Sequence, residues 1–238
     1  MSDYYTRHGK YAAAAWHRRF LENAYRRSYR ALEETGCRPL DRPPARVLLC
    51  GVGAAATTTQ FSAFLEGHQD CARLVVMDLA MRPLVSSRDA LCPHPPADRT
   101  SFVRADARAL PFSDGSFDLV ETDFLIQLLS PAERGVVLRE WARVLRPGGG
   151  LMTRDWVRRE RGLDPAWDAI RRAVLRGVLG LRTYVLTVED LRTALAEAGF
   201  TATVRPLGRW PLIHLVAAVA RGPQRAAAPT VAARFLCE

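Results

Sequence analysis

The sequence predicts an α/β fold, a doubly wound and mostly parallel sheet of seven strands with helices on both faces. Short apolar runs alternate with segments of helical composition through residues 47–200, an order typical of repeated strand–helix units. Each apolar run is continuous, as in VLLCG, and such strands are buried on both faces of a parallel sheet. At 238 residues the chain is long enough for one such domain.

The elements follow in order along the chain. A helix is expected over 3–35, where apolar and aromatic residues recur mostly every four or five positions, and a proline-containing linker follows at 37–45. The remaining elements are a strand at 47–51, a helix at 57–67, a strand at 73–79, a helix near 81–91, strands at 100–106 and 117–122, a helix near 131–145 starting at Ser130–Pro131, a turn at 146–150, a fifth strand from 150, an arginine-rich helix within 157–182, a helix from Thr187 to Gly199, and a hairpin of strands at 200–205 and 212–220.

These elements divide the chain into three parts. Residues 1–44 form a helical appendage with its linker, residues 45–221 form the α/β domain with a helical insert at 157–185, and residues 222–238 form a tail.

Composition excludes several classes of protein. Hydrophobic residues at 48% and charged residues at 25% exclude global disorder. No apolar run approaches the roughly 20 residues that cross a bilayer, and the polar N-terminus lacks the apolar core of a signal peptide. The five cysteines are irregularly spaced and match neither a disulfide framework nor a metal site. We therefore expect a cytoplasmic protein with reduced thiols, no metal site and no membrane partner.

The ends of the predicted strands carry residues suited to an adenosine-like ligand. Glycines follow the first strand, and acids follow the second and third, where they can accept ribose hydroxyls and a purine amine. Because parallel strands end at one edge of a sheet, these residues should meet there. In strand order they are Gly51 and Gly53, Asp78, Asp106, Thr122 and Asp123, and Asp155.

These segments resemble the class I S-adenosylmethionine-dependent methyltransferases over roughly residues 45–220. VLLCGVGAA resembles the family's glycine-rich motif, VVMDL its second motif, and RADARALPFSDGSFDLV its third motif with strand four. LREWARVLRPGG and LTVEDLRTALAEAGF resemble later helices, and DYYTRHGKYAAAAWH resembles the helical lid of many small-molecule members. The resemblance implies a Rossmann-like fold and the cofactor S-adenosyl-L-methionine. The implied cofactor-binding residues are Gly51, Gly53, Asp78 on the ribose, Leu79 on adenine, Asp106 near the adenine amine, Ala107, Thr122, and Tyr5 and Tyr11 of the lid.

Two positions depart from the family pattern. Leu49 stands where the family carries an acid beside the amino acid arm of the cofactor, and Ala55 replaces the third glycine. Three interpretations stay open: the cofactor binds through its other contacts, it binds so that a different carbon is transferred, or binding is lost. The two lid tyrosines likewise fit either closure over the cofactor or an ordinary apolar helix face.

The predicted function is methyl transfer to a small, anionic metabolite in a biosynthetic pathway. Methyl transfer depends mainly on alignment, and a base helps when the acceptor is a hydroxyl or ammonium, so Asp123 and Asp155 are the candidate catalytic residues. The charge of +9 resides in 1–46 and 154–182, which favours a carboxylate- or phosphate-bearing acceptor. The arginines proposed to steer this acceptor are Arg154, Arg158, Arg171 and Arg172.

Other functions are kept as alternatives. Motivated by Leu49, the main one is transfer or cyclisation of the aminocarboxypropyl arm with release of methylthioadenosine, as in azetidine-2-carboxylate formation. Nucleic acid is an unlikely partner, because strand four ends in TDFL and not in a base-flipping tetrapeptide. A decayed, non-catalytic site is disfavoured by Asp78 and Asp106. Both a monomer and a homodimer formed through the N-terminal helix fit the sequence.

Overall fold

In a computed structural model of the chain, the described residues are 15–68, 72–92, 99–158, 164–207 and 213–221. The helices within them are α1 (Ala15–Glu33), α2 (Ala55–Glu66), α3 (Met81–Leu91), α4 (Pro131–Val144), α5 (Asp164–Leu179) and α6 (Val188–Glu197). The strands within them are β1 (Arg46–Cys50), β2 (Arg73–Asp78), β3 (Thr100–Arg104), β4 (Phe117–Asp123), β5 (Leu145–Trp156), β6 (Phe200–Pro206) and β7 (Ile213–Ala220).

The seven strands form one sheet in the order β3-β2-β1-β4-β5-β7-β6. Strands β1 to β5 run parallel to one another, whereas β7 is antiparallel to both β5 and β6. This confirms the predicted fold class and the late hairpin. The chain moves outward from β1 to β3 and then returns to β4, so the connections diverge between β1 and β4 and leave a crevice at their carboxyl ends.

Both faces of the sheet are covered. On one face α1 and α2 pack against the strands through Tyr25 and Phe61, whose rings lie 5.1 Å apart. On the other face α4 and α6 contribute Trp141 and Leu191, both fully buried. The apolar strands thus lose water on both sides, which is the physical reason for their unbroken hydrophobic sequence.

Two helix starts were predicted correctly from their sequence. Ser130 caps α4 by accepting a hydrogen bond from the Glu133 amide, and the Glu133 carboxylate accepts one from the Ser130 amide. Thr187 and Asp190 form the same reciprocal pair at the start of α6. Each pair satisfies two backbone donors that a helix start leaves free.

The first helix is a layer of the domain and not an appendage, which corrects the prediction for the described part. Leu21, Tyr25 and Leu32 of α1 are fully buried, and the helix packs against α2, β5 and β7. The apolar periodicity of this segment therefore records its contact with the sheet. Residues 3–14 of the predicted helix, the tail from 222, and Tyr5 and Tyr11 lie outside the described residues.

The segment 146–150 belongs to strand β5, although a turn was predicted there. Leu145 already pairs with Phe117 of β4, and a register shift between Phe117 and Leu119 absorbs the extra residues. A Cβ atom at Gly150 would lie 2.5 Å from Leu32 Cδ2, so the glycine lets α1 approach the strand. The glycines that favour a turn in sequence here allow close packing instead.

Among the described residues no helix is both long and apolar enough to cross a membrane.

Candidate cofactor and acceptor site

A cavity of about 820 Å³ opens at the carboxyl ends of the central strands. Residues following β1, β2 and β3 line one end of it, and residues following β4 and β5 line the other. The strand order therefore explains why positions far apart in sequence meet in one site. A cavity of this size accommodates a ligand as large as a nucleoside derivative with an attached arm.

The loop after β1 forms the floor of the first end. Gly51 and Gly53 both have positive φ, +73° and +61°, a conformation that glycine adopts without strain. A Cβ atom at Gly51 would lie 2.8 Å from Leu125 Cδ2, so a side chain at this position would displace Leu125 as well as strain the backbone. The backbone is thereby exposed to a ligand at the start of α2, where amide groups are free.

Asp78 is fixed against this loop at the end of β2. Its Oδ2 accepts a hydrogen bond from the Gly53 amide at 3.3 Å, and its Oδ1 accepts one from the Ala80 amide at 2.8 Å. Burial raises the pKa of Asp78, and the hydrogen bonds from backbone amides oppose that rise. The carboxylate lines the cavity while nearly buried, a geometry suited to accepting hydrogen bonds from two adjacent hydroxyls.

Three further predicted residues lie on the wall of the same end. Leu79 exposes 54% of its surface, and Ala107 lies opposite the strand ends beside Asp106. Asp106 is bound by Arg108, whose Nη2 lies 2.7 Å from Oδ2, and this hydrogen bonding lowers the pKa of Asp106. Arg108 also pairs with Glu133, at 3.0 Å. An adenine amine at this position therefore meets an acid that already has a partner.

At the other end of the cavity, Asp123 belongs to a buried ionic cluster that the sequence analysis missed. Arg154 is fully buried and donates from Nη2 to Glu121 Oε1 at 2.6 Å and from Nε to Asp123 Oδ1 at 3.0 Å. Its guanidinium lies 4.4 Å from the centre of the Tyr25 ring. Asp123 is the member of this cluster that reaches the cavity wall. Glu121, by contrast, is enclosed by the core, where burial raises its pKa.

The structure places Thr122 and Asp155 away from the cavity wall. Thr122 is fully buried and pairs in register with Cys50 and Thr153. Asp155 is also fully buried, and its two oxygens accept hydrogen bonds from the Ile126 and Gln127 amides, at 2.8 and 3.2 Å. Asp155 therefore ties the end of β5 to the loop after β4, and of the two candidate bases Asp123 alone is retained.

Asp155 gives the protein a predicted pH dependence. Burial raises its pKa to about 7, although the amides of Ile126 and Gln127 oppose the rise. The pKa of an aspartate in the unfolded chain is near 4, whereas that of Asp155 in the folded protein is about 7. Between these two pH values the folded state binds more protons than the unfolded state, so the free energy of unfolding falls as pH rises. We expect the Asp155→Asn variant to lose this contribution, at most about 1.4 kcal/mol per pH unit. Urea unfolding at pH 5, 6, 7 and 8 gives the free energy of unfolding of each protein at each pH. The same dependence of this free energy on pH in the wild-type protein and in Asp155→Asn would contradict the prediction.

The arginines expected to steer an anionic acceptor are held by partners within the protein. Arg154 is enclosed by Glu121 and Asp123. Arg171 and Arg172 both bind Asp168, at 2.7 and 3.0 Å. Arg158 is not on the cavity wall. Three of these four arginines thus have carboxylate partners within the fold: those of Arg154 lie on strand β4, and that of Arg171 and Arg172 lies one helical turn away on α5.

An apolar chamber completes this second end. It is lined by Phe20, Phe124, Leu128, Trp156, Leu175 and Leu181. The rings of Phe124 and Trp156 lie 6.1 Å apart. Arg19 and Asn23 of α1 also reach the cavity wall. The helical periodicity of α1 indicated which of its residues face the sheet. No sequence pattern showed that Arg19, Phe20 and Asn23 border the cavity.

Within the part of the chain that the structure describes, no group of three or more His, Cys, Asp or Glu residues could hold a metal ion.

The segment that matches a known protein family contains many of the residues that line the cavity. A family model described as a methyltransferase domain matches residues 48–153, which run from β1 through most of β5. The matched region contains the glycine loop, Asp78, Asp106 and Asp123. Residues 48–153 therefore match a methyltransferase domain, in agreement with the resemblance of this segment to the class I S-adenosylmethionine-dependent methyltransferases.

Similar proteins agree with this assignment. The chain is 37% identical over 111 residues to the ubiquinone/menaquinone biosynthesis C-methyltransferase UbiE of Hahella chejuensis, covering 47% of this chain and 43% of that protein. It is 38% identical over 119 residues to the malonyl-[acyl-carrier protein] O-methyltransferase of Methylococcus capsulatus, covering 49% and 39%. The chain thus spans less than half the length of these curated relatives.

A solved structure shares the fold of this chain. A SAM-dependent methyltransferase from Methanosarcina mazei superimposes with a TM-score of 0.58 at 16% identity, covering 76% of this chain and 95% of that chain. The family's cofactor is S-adenosylmethionine. The residues present fit it, because a nearly buried carboxylate, Asp78, borders the cavity beside a loop in which Gly51 and Gly53 both have positive φ.

Proposed function

We propose that this protein transfers a methyl group from S-adenosylmethionine to a small molecule. The observation that carries the proposal is the continuous cavity, which joins the Asp78 corner to the apolar chamber beside Asp123. One end suits an adenosine and the other suits an acceptor. The relatives named above are themselves named as methyltransferases, which supports the same reaction class.

Each residue on the wall has a defined part in this proposal. The bound cofactor supplies a methyl group already activated on a sulfonium. Asp78 accepts hydrogen bonds from the two ribose hydroxyls, and Leu79 packs against the adenine. Arg19 and Asn23 face the charged amino acid arm. The walls of the apolar chamber exclude water and hold the acceptor in line with the methyl carbon, because alignment supplies most of the rate gain.

Asp123 is proposed to receive the acceptor proton. Its Oδ1 accepts a hydrogen bond from Arg154 Nε, which fixes the orientation of the carboxylate, and Asp123 lines the cavity. A base at this point assists a hydroxyl or acidic carbon acceptor as the new bond forms.

Transfer or cyclisation of the aminocarboxypropyl arm is the second candidate. Leu49 favours it, because this residue is fully buried among apolar neighbours and presents no acid to the amino acid arm. An arm held with fewer polar contacts has more freedom to adopt a reactive geometry at another carbon.

Mass spectrometry of the small molecules released from S-adenosylmethionine separates the two candidates. The purified chain is incubated with S-adenosylmethionine alone and then with a panel of phenols and other candidate acceptors. We expect intact cofactor without an acceptor, and S-adenosylhomocysteine once a suitable acceptor is present. Methylthioadenosine formed faster than in an enzyme-free control, and slowed by Asp78→Ala, would replace methyl transfer by the second candidate.

The Asp123→Asn variant tests the proposed base. Asn retains an oxygen that accepts the hydrogen bond from Arg154 but cannot take a proton, so we expect kcat to fall roughly 100-fold or more while affinity for S-adenosylhomocysteine stays within about twofold. Calorimetry gives the affinity and product formation gives kcat. The exposed Asp114→Asn is the matched control. A large loss of S-adenosylhomocysteine affinity with unchanged methylthioadenosine affinity would assign Asp123 to the cofactor's ammonium group instead.

A further inference from the structure

We propose that the acceptor is an uncharged molecule with an apolar ring system, bound in the apolar chamber. This rests on the proposed methyl transfer and replaces the anionic acceptor expected from the sequence. The chamber is lined by three aromatic side chains and three leucines. Together they come from four segments of the chain: helix α1, the loop after β4, strand β5, and helix α5 with the loop that follows it. Such a surface contributes most to binding free energy when it removes the apolar surface of an aromatic ligand from water.

The charges around the chamber oppose an anion. Asp123 is the carboxylate nearest the proposed reaction point, and a second carboxylate placed there meets like charge. Two arginines near the chamber are engaged, since Arg154 binds Glu121 and Asp123 and Arg171 binds Asp168. Arg19 also lines the cavity, where it is assigned to the charged amino acid arm of the cofactor. Burying a carboxylate without a counter-charge is costly, so the chamber selects against it.

Of the polar side chains on the cavity wall, Gln127 already has a partner, whereas the Thr183 hydroxyl has none among the described residues. Gln127 Oε1 accepts a hydrogen bond from Arg171 Nη1 at 2.7 Å. The Arg171 guanidinium lies 5.1 Å from the centre of a ring of Trp156, so this cation is stacked against the chamber wall and does not face its interior. Recognition of an acceptor phosphate would require breaking these contacts, whereas an apolar ring can pack beside Trp156 and Phe124 without disturbing them.

Helix α5 adds an observation independent of the cavity. One side of it carries Leu175 on the chamber wall, and another side exposes Trp167, Ile170, Val174 and Val178, each with more than half of its surface accessible. These four residues recur at helical spacing and form one apolar stripe beside the chamber. An apolar acceptor approaching the site therefore meets a compatible surface first, whereas an anion gains nothing from it.

Two probes that differ in one carboxylate test the proposal. The full chain, saturated with S-adenosylhomocysteine, is titrated by calorimetry with 2-naphthol and with 6-hydroxy-2-naphthoate. We expect 2-naphthol to bind at least about tenfold more tightly. The reason is that burying an unpaired charge reduces the affinity by more than a factor of about ten. Equal or tighter binding of the carboxylate, or binding of neither probe, overturns the proposal. Failure of the chain to bind S-adenosylhomocysteine overturns the proposed function instead, so the two failures are distinguishable.

Two neighbouring substitutions on α5 locate the probe. Leu175→Asp places a charge on the chamber wall and should weaken 2-naphthol binding about tenfold or more, whereas Val174→Asp, on the exposed stripe, should leave it unchanged. Both variants should keep their affinity for S-adenosylhomocysteine, which also reports that they are folded. Equal effects of the two changes overturn the proposed location. If Leu175→Asp does not fold, Leu181→Asp carries the same test from the following loop.

Discussion

Replacing Asp78 by Asn is expected to weaken binding of S-adenosylhomocysteine about 100-fold, because each hydrogen bond to a charged group contributes roughly 1.5–3 kcal/mol. The Asn side chain keeps one oxygen for the Ala80 or Gly53 amide, but its amino group cannot accept a hydrogen bond from a ribose hydroxyl. Since burial already raises the pKa of Asp78, a neutral residue there should not unfold the domain. Calorimetry with the purified chain measures the change.

The pattern of loss identifies the ribose. Methylthioadenosine carries the same ribose without the amino acid arm, so Asp78→Asn should weaken both ligands by the same factor. Asp89→Asn, an exposed carboxylate on α3, is the matched control and should change neither. An unchanged affinity for both ligands in Asp78→Asn would contradict the assignment of the adenosine end.

Replacing Arg154 by Met is expected to destabilise the protein by about 3–5 kcal/mol, because it leaves Glu121 and Asp123 without their buried counter-charge. For a chain of this size that corresponds to a fall in Tm of roughly 6–20 °C. Loss of the contact between the guanidinium and Tyr25 acts in the same direction. Urea and thermal unfolding followed by circular dichroism measure the change without any ligand.

A double variant separates charge from packing. Arg154→Met combined with Glu121→Leu removes the two fully buried charges and leaves Asp123, which reaches the cavity wall, so it should regain much of the lost stability, as buried ion pairs are often replaceable by apolar side chains. Arg205→Met is the matched control, because its ion pair with Glu34 is exposed and should contribute under about 1 kcal/mol. A double variant no more stable than Arg154→Met would show that packing of the arginine, and not its charge, matters.

The sequence by itself determined the fold class and the residues that line one end of the cavity. Continuous apolar strands required a sheet covered on both faces, and parallel strands carry the residues that follow them to one edge. Gly51, Gly53, Asp78, Leu79, Asp106 and Ala107 consequently meet on one cavity wall, as expected from their positions after β1, β2 and β3. The capping residues Ser130 and Thr187 fixed helix starts by purely local hydrogen bonds.

The tertiary structure alone decided what lies at the acceptor end. Asp123 and Asp155 have the same residue type and similar positions after neighbouring strands, yet one reaches the cavity and the other binds two buried amides. The arginine-rich segment predicted an anionic acceptor, but Arg154, Arg171 and Arg172 have carboxylate partners within the fold. The physical reason is that burial, and the pairing of Arg154 with Glu121 and Asp123, depend on contacts between separate strands. Strand ends, helix caps and the pairs of Arg171 and Arg172 with Asp168 depend on local sequence.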